Sequence, residues 1–198
     1  MNPLAGARGK LAEARFFLEL LRRIENSQPV TTDSLDNEAT YFTSALLNAC
    51  YSVLEHLACR GKQALRSIAT RESKSCETEL ENDIAKARAR NSDIYGTERG
   101  APSRRTGLRT LAVHHEVVAG KRHVQSHGGW GRGMWGTRMW GASPSSCHLY
   151  IDHPVSQARL WIVPRMIEHA QELEKLVTQW ENRIASLDTP SAATHLDS

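Results

Sequence analysis

Pro164–Leu187 reads PRMIEHAQELEKLVTQWENRIASL, and this stretch decides the fold class. Ile167, Ala170, Leu173, Val177, Trp180, Ile184 and Leu187 recur at intervals of three or four residues. That is the period of one helical face, here a narrow seam of coiled-coil type. The seam predicts either a core stripe or a contact between two copies. Pro164 suits a first helical position, because its missing N–H would have no partner there in any case. Residues 188–198, DTPSAATHLDS, predict a disordered polar tail.

The same period organises the first half of the chain. Leu11, Ala14, Phe17, Leu18, Leu21 and Ile24 predict a helix over about 7–26, broken by the stretch around Pro29. A second helix is predicted from Asp36 to about Cys59. Its stripe is Phe42, Ala45, Leu46, Ala49, Val53, Leu54 and Leu57, and Gly61 is the expected C-cap. Residues 62–90 are helix-forming but polar, with a thin stripe at Leu65, Ile68, Leu80, Ile84 and Ala87. They predict one broken helix or two short ones. Residues 91–103 read as a loop and Ser103–Val118 as a short helix, which Gly107 weakens by about 1 kcal/mol relative to alanine.

Residues 119–149 do not follow this period. They contain GGWGRGMWGTRMWG, with Trp130, Trp135 and Trp140 each followed by glycine. A five-residue spacing cannot set three tryptophans on one face of a helix or strand. The expectation is an irregular, mobile insertion, with short strand pairing around Leu149–Ile151. It is either a base-stacking loop or a low-complexity segment. The expected whole is an all-α, up-and-down bundle of four to five helices. It forms a single domain over 1–198, with the long Gly/Trp-rich insertion before the last helix.

The composition sets the outer bounds. The chain has 198 residues, 40% hydrophobic and 24% charged, which is enough to bury a core. No apolar run approaches the ~20 residues of a membrane span. Met1–Lys10 lacks the apolar stretch of a secretory signal, so the expected compartment is the cytoplasm. Cys50, Cys59, Cys76 and Cys147 have no CxxC spacing and read as reduced core thiols.

Charge is unevenly spread. Residues 86–138 carry 11 Lys/Arg against 3 Asp/Glu, while both flanks are net acidic. The block includes Arg99, Arg104, Arg105, Arg122, Arg132 and Arg138, candidates for nucleic-acid binding because a guanidinium donates two parallel hydrogen bonds to phosphate. A solvated basic face is the alternative. Within the block, Arg109 and His114 stand five apart in RTLAVH, and His115 follows directly. A histidine moves protons near neutral pH, and an arginine stabilises charge gathering on a phosphorane-like transition state. His123 and His127 have HxxxH spacing, which on a helix would suit zinc with His148, Asp152 or His153 as a third ligand. Polar loop histidines are the alternative.

Three segments carry a family resemblance: KLAEARFFLELL (Lys10–Leu21), NEATYFTSALLNACYSVLEHL (Asn37–Leu57) and LRTLAVHHEVV (Leu108–Val118). In order and helical placement they resemble the HEPN superfamily of small all-α domains, over about residues 10–118. The third looks like that family's Arg-x4–6-His motif. The resemblance implies a metal-independent endoribonuclease or RNA-binding protein, toxin- or defence-related, working as a homodimer. Arg109 and His114 are the catalytic positions that carry over, with His115 as auxiliary or alternative. The residue after the arginine, commonly Asn, Asp or His in active members, is Thr110 here. No metal or organic cofactor is implied. RNA, a second copy and a cognate protein are the expected partners. The alternative from another class is a catalytically silent helical scaffold that binds a partner protein.

Overall fold

The computed structural model describes residues 2–26, 28, 30–68, 71–96, 107–108, 121–125, 146–152 and 159–188; for 71, 121–125 and 146–147 it describes the backbone alone. Five helices lie among these residues: α1 Ala5–Glu25, α2 Leu35–Ile68, α3 Arg71–Arg90, α4 Ser92–Tyr95 and α5 Ile162–Asp188. The fold is all-α in class, as the 3.6-residue stripes predict. α2 packs along α1 and is flanked by α3, and α5 lies against both α1 and α2.

The stripes become one core. Leu11, Ala14, Leu18, Leu21 and Ile24 of α1 meet Leu46, Leu47, Val53, Leu54 and Leu57 of α2, and Leu173, Val177 and Trp180 of α5. Each fully buried aliphatic or aromatic side chain of this kind contributes about 1.5–3 kcal/mol. The α5 seam is therefore used inside the chain. Ion pairs brace its outer edge. Arg8 donates from Nε to both Glu181 carboxylate oxygens at 3.1 and 3.0 Å and from Nη2 to Thr178 Oγ1 at 2.7 Å, and Arg15 pairs with Glu174.

The second helix begins on Ser34, whose Oγ accepts the Asn37 N–H at 3.3 Å while its carbonyl accepts the Glu38 N–H at 3.0 Å. The Glu38 side chain turns back and accepts from Val30 N, Thr31 N and Thr31 Oγ1, which closes the α1–α2 loop over a buried carboxylate. Gly61 does not end this helix, which runs on to Ile68. A Cβ at Gly61 would stand 2.8 Å from Leu80 Cδ2, so the glycine lets α2 and α3 approach closely. Residues 62–90 accordingly divide between the end of α2 and a continuous 20-residue α3.

The strand pairing expected around Leu149–Ile151 is present, and it reaches back to the start of residues 119–149. Their two ends are paired. Strands β1 (Lys121–Gln125), β2 (Ser146–Asp152) and β3 (Arg159–Trp161) form a small antiparallel sheet in the order β1-β2-β3. Lys121 stands opposite Tyr150, Arg122 opposite Leu149 and His123 opposite His148, while Trp161 stands opposite Tyr150 on the other side. The cause is an alternation in β2: Leu149 and Ile151 are buried, and His148 and Tyr150 are more exposed. The buried pair adds to the helical core. Glu25, at the end of α1, accepts the Leu149 N–H at 2.9 Å and ties the sheet to the bundle. β3 runs directly into α5, so Pro164 is the third helical residue and not the first. The tryptophan repeat, the expected helix from Arg109 onward and the tail beyond Asp188 lie outside the described residues.

Of the four cysteines, Cys50 and Cys76 are buried free thiols, and burial pushes the Cys50 thiol up to about 12. Cys59 is exposed, contrary to the core placement expected of it.

Candidate functional site

Asn91–Gly96 was expected to be part of a loop. Instead Ser92–Tyr95 forms one helical turn, and this turn is pinned to the head of α5. Arg165 lays its fork on Asp93, with Nε to Oδ2 and Nη2 to Oδ1 both at 2.9 Å, and Nη2 also reaches Asn91 Oδ1 at 2.7 Å. Asn91 passes the link on: its Nδ2 donates to the Ala87 carbonyl at 2.8 Å and to Glu172 Oε2 at 2.9 Å. Such a bidentate pair is strong because both partners are ionised and the geometry is fixed. Burial works against the charge on Arg165, but the Asp93 hydrogen bonds and charge outweigh it and raise its pKa.

Beneath this pair lies a second one. Tyr95 Oη is 2.6 Å from His169 Nε2, with the rings edge to face at 5.3 Å. His169 is fully buried. Its Nδ1 has no hydrogen-bond partner among the described residues and sits 3.9 Å from Glu172 Oε2. The arrangement that satisfies most groups has Tyr95 donating its O–H to Nε2, with the ring proton on Nδ1 facing the Glu172 carboxylate. Burial first, then the nearby Arg165 charge, push His169 down to about 4, against the opposing pull of Glu172 and Asp93. Burial likewise pushes the Tyr95 phenol well up. Both are neutral at pH 7; His169 is closed to solvent and Tyr95 is half-buried, and the node ties α4 to α5.

Next to this node, the chain comes back at Gly107. Gly96 leaves α4 at φ 80°, a conformation that favours glycine. The chain then returns onto the same spot at Gly107. A Cβ there would lie 2.2 Å from Gly96 N and 2.3 Å from Tyr95 C, so only glycine fits the crossing. Leu108 follows, 1% exposed. Gly107 is thus a close-approach residue, and its effect on helix propensity is secondary.

Arg109, His114 and His115 begin one residue beyond Leu108 and lie outside the described residues, as do Arg99, Arg104, Arg105, Arg132 and Arg138. Arg122 lies on β1, opposite buried Leu149. Elsewhere in the basic block, Arg88 pairs with Glu55 and lies over the Tyr51 ring at 5.6 Å, while Arg90 is exposed. Of the HxxxH reading, His123 stands opposite His148 in the sheet register, Asp152 accepts from Arg159 Nε at 3.3 Å, and His127 and His153 lie outside the described residues.

Sequence reasoning missed Asn91, Asp93, Tyr95, Arg165 and His169. One signal was there to be read: His169 falls on the α5 stripe between Met166 and Leu173, where a titratable group must find a partner. An open cleft of about 970 Å³ near the other end of α5 is lined by Gly6, His56, Arg60, Gln63, Glu181 and Asn182. His56 packs on Gly6 there, where a Cβ would meet its Nδ1 at 2.8 Å. No family model matches the chain, and neither does any curated protein or solved structure.

Proposed function

We propose that the chain is a HEPN-type RNA-binding protein that cleaves RNA without a metal ion, as a cytoplasmic homodimer. Arg109 contacts the scissile phosphate. His114 takes the proton of the ribose 2′-hydroxyl as that oxygen attacks phosphorus, and returns a proton to the departing 5′-oxygen. His115 is the auxiliary. The products are a 2′,3′-cyclic phosphate and a 5′-hydroxyl.

The observation that carries the reading is the Gly107 crossing. It supports the reading because the chain, two residues before Arg109, lies close against Tyr95 and Gly96. The 11-to-3 excess of Lys/Arg over Asp/Glu in 86–138 supports a polyanionic substrate. The test is incubation of the purified protein with mixed RNA in EDTA. Cleavage leaving cyclic phosphate is expected, and His114→Ala should lower the rate about 10²–10⁴-fold. Arg109→Ala should also slow it. Undiminished cleavage by both His114→Ala and the His114/His115 double alanine variant overturns the assignment.

A second reading, a silent scaffold for a partner protein, draws on a different observation. Phe16 is 59% exposed and abuts Phe17, which stacks on Phe42. Exposed aromatic surface of this kind is typical of protein contacts. Intact RNA together with a stable dimer in light scattering would favour it.

A further inference from the structure

The outer face of the sheet presents a row of rings at His148, Tyr150 and Trp161. Trp161 is 39% exposed at the end of β3. Its ring meets His148 edge to face at 5.9 Å and Tyr150 edge to face at the same distance. Arg159 lies over the Tyr150 ring, 4.0 Å from its centre, and is steadied by Asp152 at 3.3 Å. His148 and Arg159 are both exposed. The inner face carries the hydrophobic work through Leu149 and Ile151. The outer rings are therefore held in fixed planes by one another, at little cost to the core.

We propose that this sheet face is a stacking platform for single-stranded RNA, rather than a protein contact. Bases stack on Trp161 and on the Tyr150–Arg159 pair, and the phosphates follow the basic edge. Three features on the face favour this occupant. Upright, mutually braced aromatic rings accept the flat face of any base, which gives sequence-tolerant binding. An arginine already stacked on a tyrosine offers both a planar surface and a positive charge. The charge is also complementary to a polyanion: Lys121, opposite Tyr150, and Arg159 stand at outer-face positions against Asp152, with Glu25 of α1 at 3.9 Å from His148, and β1 belongs to the basic block. The register sets Lys121 and His123 opposite Tyr150 and His148. A duplex buries its base faces within its own stack and cannot use such a platform, so single strands are the selected class.

The inference rests on the RNA reading above and narrows it to a substrate class and a second contact region. The test is anisotropy of a labelled 12-nucleotide single-stranded RNA of mixed sequence, titrated with the full chain in EDTA, with a His114→Ala background to keep the RNA intact. Trp161→Ala should weaken binding roughly ten-fold. Trp161→Phe, which keeps an aromatic face, should stay within about three-fold of the parent, so a loss through misfolding is recognised. Arg159→Gln should reduce the slope of log affinity against log salt by about one. The corresponding duplex should be unaffected by Trp161→Ala. Equal affinity of Trp161→Ala and the parent for the single strand overturns the platform while leaving the RNA reading intact. Parent protein that neither binds nor cleaves RNA overturns both. Equal loss on duplex and single strand, or a change in oligomeric state with Trp161→Ala, assigns the face to another role and overturns the proposal.

Discussion

Acid should loosen this fold through one residue. His169 is fully buried and held at about 4, against 6.5 when unperturbed. Its proton is therefore bound more readily by the unfolded chain, and acid favours unfolding. The stabilising contribution is whole above pH 6.5 and is lost as pH falls towards 4. One pKa unit is worth about 1.4 kcal/mol, so full loss amounts to about 3 kcal/mol. Between pH 7 and pH 4.5 about 2 kcal/mol should go, a fall in Tm of about 4–8 °C for a chain of this size. The assay is urea unfolding at pH 7, 6, 5 and 4.5, on the wild type and on His169→Gln. The variant keeps a hydrogen-bonding group toward Tyr95 but cannot titrate. It will be less stable at pH 7, having lost ring packing, but its stability should fall less steeply through this window. Glu38 and Glu181, both held low by hydrogen bonds, titrate identically in the two proteins and cancel. Parallel pH profiles for the two proteins would refute the reasoning.

Gly107→Ala should cost about 2–3 kcal/mol in chemical denaturation, because the methyl group meets Gly96 and Tyr95 backbone that cannot swing aside. RNA cleavage should fall with it. In a double-mutant cycle, Arg165→Ala and Asp93→Ala should show a coupling energy of about 1–2 kcal/mol, and additive losses would deny the fork its role. Replacing Arg104 and Arg105 together by alanine should flatten the salt dependence of RNA binding, as fewer counterions are released. An unchanged slope removes them from the interface.

The helices were legible because each carries its own period. Leu11–Ile24, Phe42–Leu57 and Ile167–Leu187 each mark a buried stripe with no knowledge of the partner, since a helix must hide one apolar face whatever it packs against. The strength of local patterns also explains why Gly61 was misread. Gly61 has the form of a stop signal, yet whether a glycine ends a helix or admits a neighbour depends on what crosses it, and here that is Leu80. The alternation in CHLYID around Leu149 and Ile151 was visible, but its partners lie on β1 and β3, and β1 is separated from it by twenty residues.

The candidate site divides in the same way. The sequence by itself determined the residue chemistry: the basic block, the Arg109–His114 spacing and the tryptophan repeat are properties of order along the chain. Only the tertiary structure decided which groups meet. Asp93 and Arg165 are 72 residues apart, and Tyr95 and His169 are 74 apart, so no local pattern couples them. Gly107 and Gly96 lie against each other although they are eleven residues apart in the chain. Burial and charge pairing depend on distance in space, and hydrophobic periodicity records only distance along one helix. That is why a stripe can be read residue by residue, while the node beneath it exists only once the helices have closed.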